Sequence, residues 1–154
     1  MGTGPVLSLR GAAQVPTSAD KLRAWLDDLG RLVSLVPDVI AVDHLGPQQA
    51  RMRVRPAFTF IRSELQVEIE RLPVGDPATR AYRFHSSGIG SQASGRASLR
   101  LVSQGACTLL DWQLDIEALG GLLRALPRGL IEGAARQVVE RFLARLHTVQ
   151  SPPE

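Results

Sequence analysis

Apolar and polar side chains alternate one for one through much of the middle of the chain. In Arg51-Met52-Arg53-Val54-Arg55 the arginines share one side and Met52 and Val54 the other, the pattern of a half-buried strand. Over 61–70 the pattern recurs, with Leu65, Val67 and Ile69 facing inward and Glu64, Gln66, Glu68 and Glu70 outward. Phe58 and Phe60 fall on the polar parity, which predicts a bend or bulge over 56–62. Further strands are predicted over 79–87, 93–103 and 106–117. The last is the clearest: Leu110, Trp112, Leu114 and Ile116 alternate with Asp111, Gln113, Asp115 and Glu117. Gly-Asp-Pro, Ser-Gly and Gln-Gly turns between such strands predict an antiparallel meander with one wet face.

The two ends take up a helical period. After a first strand over 6–15 and Pro16, the capping groups Thr17, Ser18 and Asp20 open a helix over about 18–28, with Leu22, Trp25, Leu26 and Leu29 on one face. A second short helix over about 30–36 stops before Pro37, because the residue preceding proline avoids helical φ/ψ. Near the other end, "GGLLRALPRGLIEGAARQVVERFL" (120–143) begins with Gly120 and Gly121 at the exit from the last strand, and Pro127 must start or kink the long helix. Beyond it Leu130, Ala134, Val138, Phe142 and Leu146 form a stripe, flanked by Ile131, Ala135 and Val139. Arg128, Glu132, Arg136, Glu140 and Arg145 lie largely away from it. A stripe this wide needs a partner surface, and a one-sided sheet supplies it. The expectation is an α+β fold, a curved antiparallel sheet of about seven strands wrapped around a long C-terminal helix, with two short helices after the first strand. It forms one domain, 1–154, with its core over about 6–147.

Composition narrows the classes. A chain of 154 residues, 44% hydrophobic and 21% charged, is sized for one self-sufficient core. The charge is +3, with 18 basic against 15 acidic residues, and Lys21 is the only lysine. The arginines are scattered instead of forming a block, and the basic stripe and aromatic platforms of a nucleic-acid reader are missing, so no nucleic acid is expected. Cys107, the single cysteine, rules out an internal disulfide and fits a reducing cytoplasm. Pro37 and Asp38 interrupt the most apolar run, 32–42, well short of the roughly 18 residues of a membrane span. The opening MGTGPVLSLR does not read as a signal peptide.

Three stretches carry a family resemblance: "VPTSADKLRAWLDDLGRLVSLVPDV" after the first strand, "SGIGSQASGRASLRL" in the central hairpin, and "GACTLLDWQLDIEALGGLLRALPRGLIEGAARQVVERFLARL" at the end. Over about 9–147 the chain resembles the helix-grip (START-like, polyketide cyclase-like) superfamily, and more narrowly the G subunit of carbon monoxide dehydrogenase. Relatives usually carry Trp at the position of Arg23, Pro-Gly where this chain has Pro37-Asp38, a glycine at Pro127 and a second Phe at Leu143. Many continue into a longer tail associated with membrane attachment, where this sequence reads Ser151-Pro152-Pro153-Glu154. The resemblance implies an accessory role around a molybdenum hydroxylase of the carbon monoxide dehydrogenase type. It also implies binding of a quinone or lipid-like molecule in the grip, and peripheral contact at the inner membrane face of an otherwise cytoplasmic protein.

Catalytic chemistry is scarce. His44, His85 and His147 lack metal-ligand spacing, so no metal is expected. The glycines of 86–90 join two strands instead of opening a helix, so they lack phosphate-cradling geometry, and no cofactor is expected. Asp27 and Asp28 read as solvated residues beside a helix end, and no catalytic residue is assigned. A dry void of about 300 Å³ would cost about 7 kcal/mol at about 24 cal/mol per Å³, so a cavity needs an occupant. Its candidate lining is Phe58, Phe60, Tyr82, Phe84, Trp112, Leu126 and Leu130. Three readings result: a non-catalytic carrier of an apolar small molecule, a small helix-grip enzyme of the polyketide cyclase or hydrolase kind, and a filled-core interaction scaffold.

Overall fold

The computed structural model describes residues 4–56, 63–88 and 90–150. Phe58 and Phe60, with the bend expected beside them, lie outside the described residues. In chain order the elements are β1 (Leu7–Val15), α1 (Ala19–Leu26), α2 (Leu29–Ser34), β2 (Val39–Leu45), β3 (Gln49–Val54), β4 (Leu65–Leu72), β5 (Thr79–Gly88), β6 (Ser91–Gln104) and β7 (Cys107–Gly121). A 3₁₀ turn (Leu122–Ala125) and the long helix α3 (Arg128–Gln150) come last.

The seven strands form one antiparallel sheet in the order β1-β7-β6-β5-β4-β3-β2. β1 and β2 are its two edges, so α1 and α2 carry the chain from one edge to the other before it meanders back. Local chemistry sets that crossing. The Ser18 side chain accepts from the Lys21 N–H to cap α1, and the Asp28 carboxylate accepts from Gly30 N at 2.9 Å to cap α2. Asp28 is therefore a capping residue and not merely a solvated one.

One face of the sheet is apolar and carries the helices. Leu22 and Leu26 of α1, both at 0% exposure, pack with Leu29, Leu32 and Val33 of α2 onto Ala50, Met52 and Val54 of β3 and Leu99, Leu110 and Trp112 of β6 and β7. Each fully buried leucine contributes about 1.5–3 kcal/mol. The C-terminal half of α3 joins this cluster through Leu146, Phe142 and Val139. A second cluster, Leu7, Ile116, Leu123 and Ile131, holds the start of α3 at the other end.

The expected α3 stripe is rotated in the structure. The buried line runs through Ile131, Ala135, Val139, Phe142 and Leu146, while Leu130 and Val138 are 41% and 36% exposed. The reason is geometric. Each step of four residues turns about 40° past a full circle at 3.6 residues per turn, so a line drawn by fours from 130 to 146 drifts by about 160°. Substituting one step of three keeps the line on the sheet. The exit glycines end β7 as expected, although the strand runs on past 117 to reach them: Gly121, its last residue, pairs with Ser91 at φ 62°. A Cβ there would overlap the Gly90 carbonyl, so the residue must be glycine on two counts.

Candidate functional site between the sheet and the terminal helix

The inner face of the sheet is unevenly covered. Under α1 and α2 the β3 residues Ala50, Met52 and Val54 are 2%, 0% and 8% exposed. At the same parity further along the sheet, Val67 and Ile69 of β4, Phe84 of β5 and Leu114 of β7 are only half-buried. Half-buried Ala135, Val139 and Phe142 of α3 pack against the same clusters as these residues. An apolar strip of the inner face thus remains only partly covered.

The sequence-derived candidates divide around this strip. Tyr82 and Trp112, 5% and 9% exposed, belong to the larger cluster, whereas Phe84 and Leu126 pack against the smaller one. Leu130 lies on the exposed side of the first turn of α3. The Trp112 indole covers Gly11, its partner across the β1–β7 pair.

Tyr82 carries the polar feature of the inner face. Its hydroxyl is buried and has no hydrogen-bond partner among the described residues. Burial pushes the phenol up to about 12, with Arg71 and Arg80 pulling the other way. Those two arginines sit on β4 and β5 at the inward parity, and both reach Asp27 at the end of α1. Arg80 Nε donates to Asp27 Oδ1 at 2.7 Å, Arg71 Nη2 donates to the same oxygen at 3.2 Å, and Arg71 Nη1 donates to the Asp27 carbonyl at 2.9 Å. Asp27 is exposed, as expected of a solvated residue, and is in addition a clasp between α1 and the sheet. The inner face is also not wholly apolar, as parity counted past Ile69 to Arg71, and back from Tyr82 to Arg80, would indicate.

On the outer face a groove of about 460 Å³ is lined by His44, Arg51, Glu68, Glu70, Arg83 and His85, among others. Cross-strand register sets Glu68 between Arg51 and His85, and Glu70 between Gln49 and Arg83. The Arg83–Glu70 pair closes to 3.2 Å. This is a charge-balanced ladder of the kind that solvates a wet sheet face. Among the described residues no three His, Cys, Asp or Glu side chains cluster as a metal site, and no helix is long and apolar enough to cross a membrane.

The family model for the G subunit of carbon monoxide dehydrogenase (CoxG) matches residues 11–150. The chain belongs to that family. Solved structures agree on the fold. A conserved protein from Geobacillus kaustophilus superposes with a TM-score of 0.82 at 14% identity, covering 92% of this chain and 93% of its own. A START superfamily protein from Mycobacterium smegmatis gives 0.70 at 14% identity, with 93% and 96% covered. Ginseng major latex-like protein 151 from Panax ginseng gives 0.67 at 10% identity, with 95% and 98% covered. No curated protein matches the CoxG-family chain in sequence. The architecture is therefore the START-like helix grip, with an unclosed seven-stranded sheet.

Proposed function

We propose that this CoxG-family protein is a non-catalytic accessory protein that holds a hydrophobic small molecule, quinone or lipid-like, between the sheet and α3. Its client would be a molybdenum hydroxylase of the carbon monoxide dehydrogenase type, with peripheral contact at the membrane face where such a ligand resides. The observation that carries this reading is the half-covered strip of Val67, Ile69, Phe84 and Leu114, because exposed apolar surface inside a grip is stabilised by an apolar occupant. The buried hydroxyl of Tyr82 adds one oriented donor, suited to a ligand carbonyl.

An enzymatic reading needs an acid and a base converging on the same space. Asp27 is engaged by two arginines, and the Tyr82 phenol is held protonated far above neutrality. Neither serves as a general base at neutral pH. The test is mass spectrometry of organic extracts from natively purified protein, paired with melting in the presence of a soluble quinone analogue. A co-purifying quinone or lipid and a raised melting temperature are expected. An empty extract with no thermal shift overturns the proposal.

A further inference from the structure

At the end of the sheet where β4 turns into β5, two arginines share one carboxylate. Arg71 and Arg80 both pair with Asp27 Oδ1, leaving the group at +1 (two guanidinium charges less one carboxylate). The imbalance is sheltered: the arginine side chains are 23% and 15% exposed, against 45% for Asp27. A mostly buried guanidinium without its own counter-charge is costly, so a structural clasp alone is better served by one arginine. Donors also remain. Arg80 Nη1 donates to the carbonyls of Pro77 and Thr79, but Arg80 Nη2 and Arg71 Nε have no hydrogen-bond acceptor among the described residues.

Room lies beside them. A cleft of about 450 Å³ is lined by Arg71 and Arg80 together with Gln48, Leu72, Pro73 and Val74. Planar guanidinium forks with free N–H groups suit an oxyanion with two or more acceptor oxygens.

We propose that Arg71 and Arg80 form an anion-binding site that takes one phosphate or carboxylate group in this cleft. The site is separate from the apolar strip, and its occupancy does not depend on the reading of that strip.

The test is a titration of inorganic phosphate into the full-length protein, read at the Nε–Hε resonances of the two arginines by NMR. Saturable shifts at both are expected. Arg80→Gln should weaken binding by about tenfold or more, the effect of losing one charge-assisted contact. Asp27→Asn removes the competing carboxylate and should tighten binding several-fold, whereas a purely structural clasp would lose stability with no gain in affinity. This second variant keeps both arginines, so the test stands even if Arg80→Gln does not fold. Co-sedimentation with phosphatidylglycerol but not phosphatidylcholine vesicles, lost in Arg80→Gln, assigns a lipid headgroup as the source. Phosphate binding without vesicle binding assigns a free anion. Non-saturating shifts, or equal affinity in wild type and both variants, overturn the site.

Discussion

Asp38 stands in the left-handed region at φ 65° and grips Arg141 of α3 through two hydrogen bonds, Arg141 Nη1 to Oδ2 at 2.8 Å and Nη2 to Oδ1 at 3.0 Å. The bond to Asp38 holds the Arg141 guanidinium above its ordinary range. Glycine would adopt this backbone freely, so with Asp38 the chain accepts strain and gains a fastening between α3 and the start of β2. Relieving the strain is worth about 1 kcal/mol, and the half-exposed pair a similar amount. Asp38→Gly should therefore be nearly neutral in urea denaturation, whereas Asp38→Ala, which keeps the strain and loses the pair, should cost about 1–2 kcal/mol. Equal losses in the two variants would refute this account.

Tyr82 makes a prediction that its uniqueness renders easy to read. It is the only tyrosine, so phenolate absorbance reports it alone. In the unfolded chain it ionises near its ordinary 10, and in the folded protein at about 12. Between those values the unfolded state has lost its proton and the native state has kept it. Stability is thus full below pH 10 and falls as pH rises toward 12, by about 2–3 kcal/mol. Tyr82→Phe should abolish that fall and leave neutral-pH stability unchanged or slightly raised, because no hydrogen bond is lost. Absorbance titrating near 10 in the folded protein would contradict the buried placement.

The meander is legible in the alternation of residues such as Leu110 to Ile116, because period two survives wherever one face stays wet. β2 carries no such contrast. Ile40, Val42 and Leu45 are all about half-exposed on this irregular edge strand, and register shifts against β3 break the parity. The α3 face is misplaced when traced by fours, since drift along 23 residues moves Leu130 out of the contact. Least legible is Asp27. Its partners Arg71 and Arg80 lie 44 and 53 residues away, and only the pairing of β4 with β5 brings them together. Helix-capping chemistry accounts for the polarity of 27–28 locally, which hides the long-range role.

Gly11 and Trp112 test a close backbone-to-ring contact in the sheet. A Cβ on Gly11 would lie 2.5 Å from the Trp112 ring, which is itself 9% exposed and cannot swing out without opening the core. Gly11→Ala should cost about 1–3 kcal/mol by overpacking, despite the better intrinsic strand propensity of alanine. Tryptophan fluorescence should shift as the ring is displaced. A stability gain on this substitution would show that the indole has space to move.

Ala135 separates an open grip from a filled one. It lies on the buried line of α3 and packs against both core clusters, as half-buried Leu114 does against the larger and Phe84 against the smaller. In a close-packed interior, adding a phenyl group there forces neighbours off their rotamers at about 1–3 kcal/mol. In a grip with room for a ligand, the ring instead covers apolar surface that solvent or ligand would otherwise cover, and gains about 25 cal/mol per Å² buried. Ala135→Phe should therefore leave the melting temperature of extracted protein unchanged or raised, while the co-purifying quinone or lipid disappears from organic extracts. A drop in stability of the full overpacking size, in a wild-type protein whose extracts are also empty, would mean that side chains fill the space and that the protein acts through its surface alone.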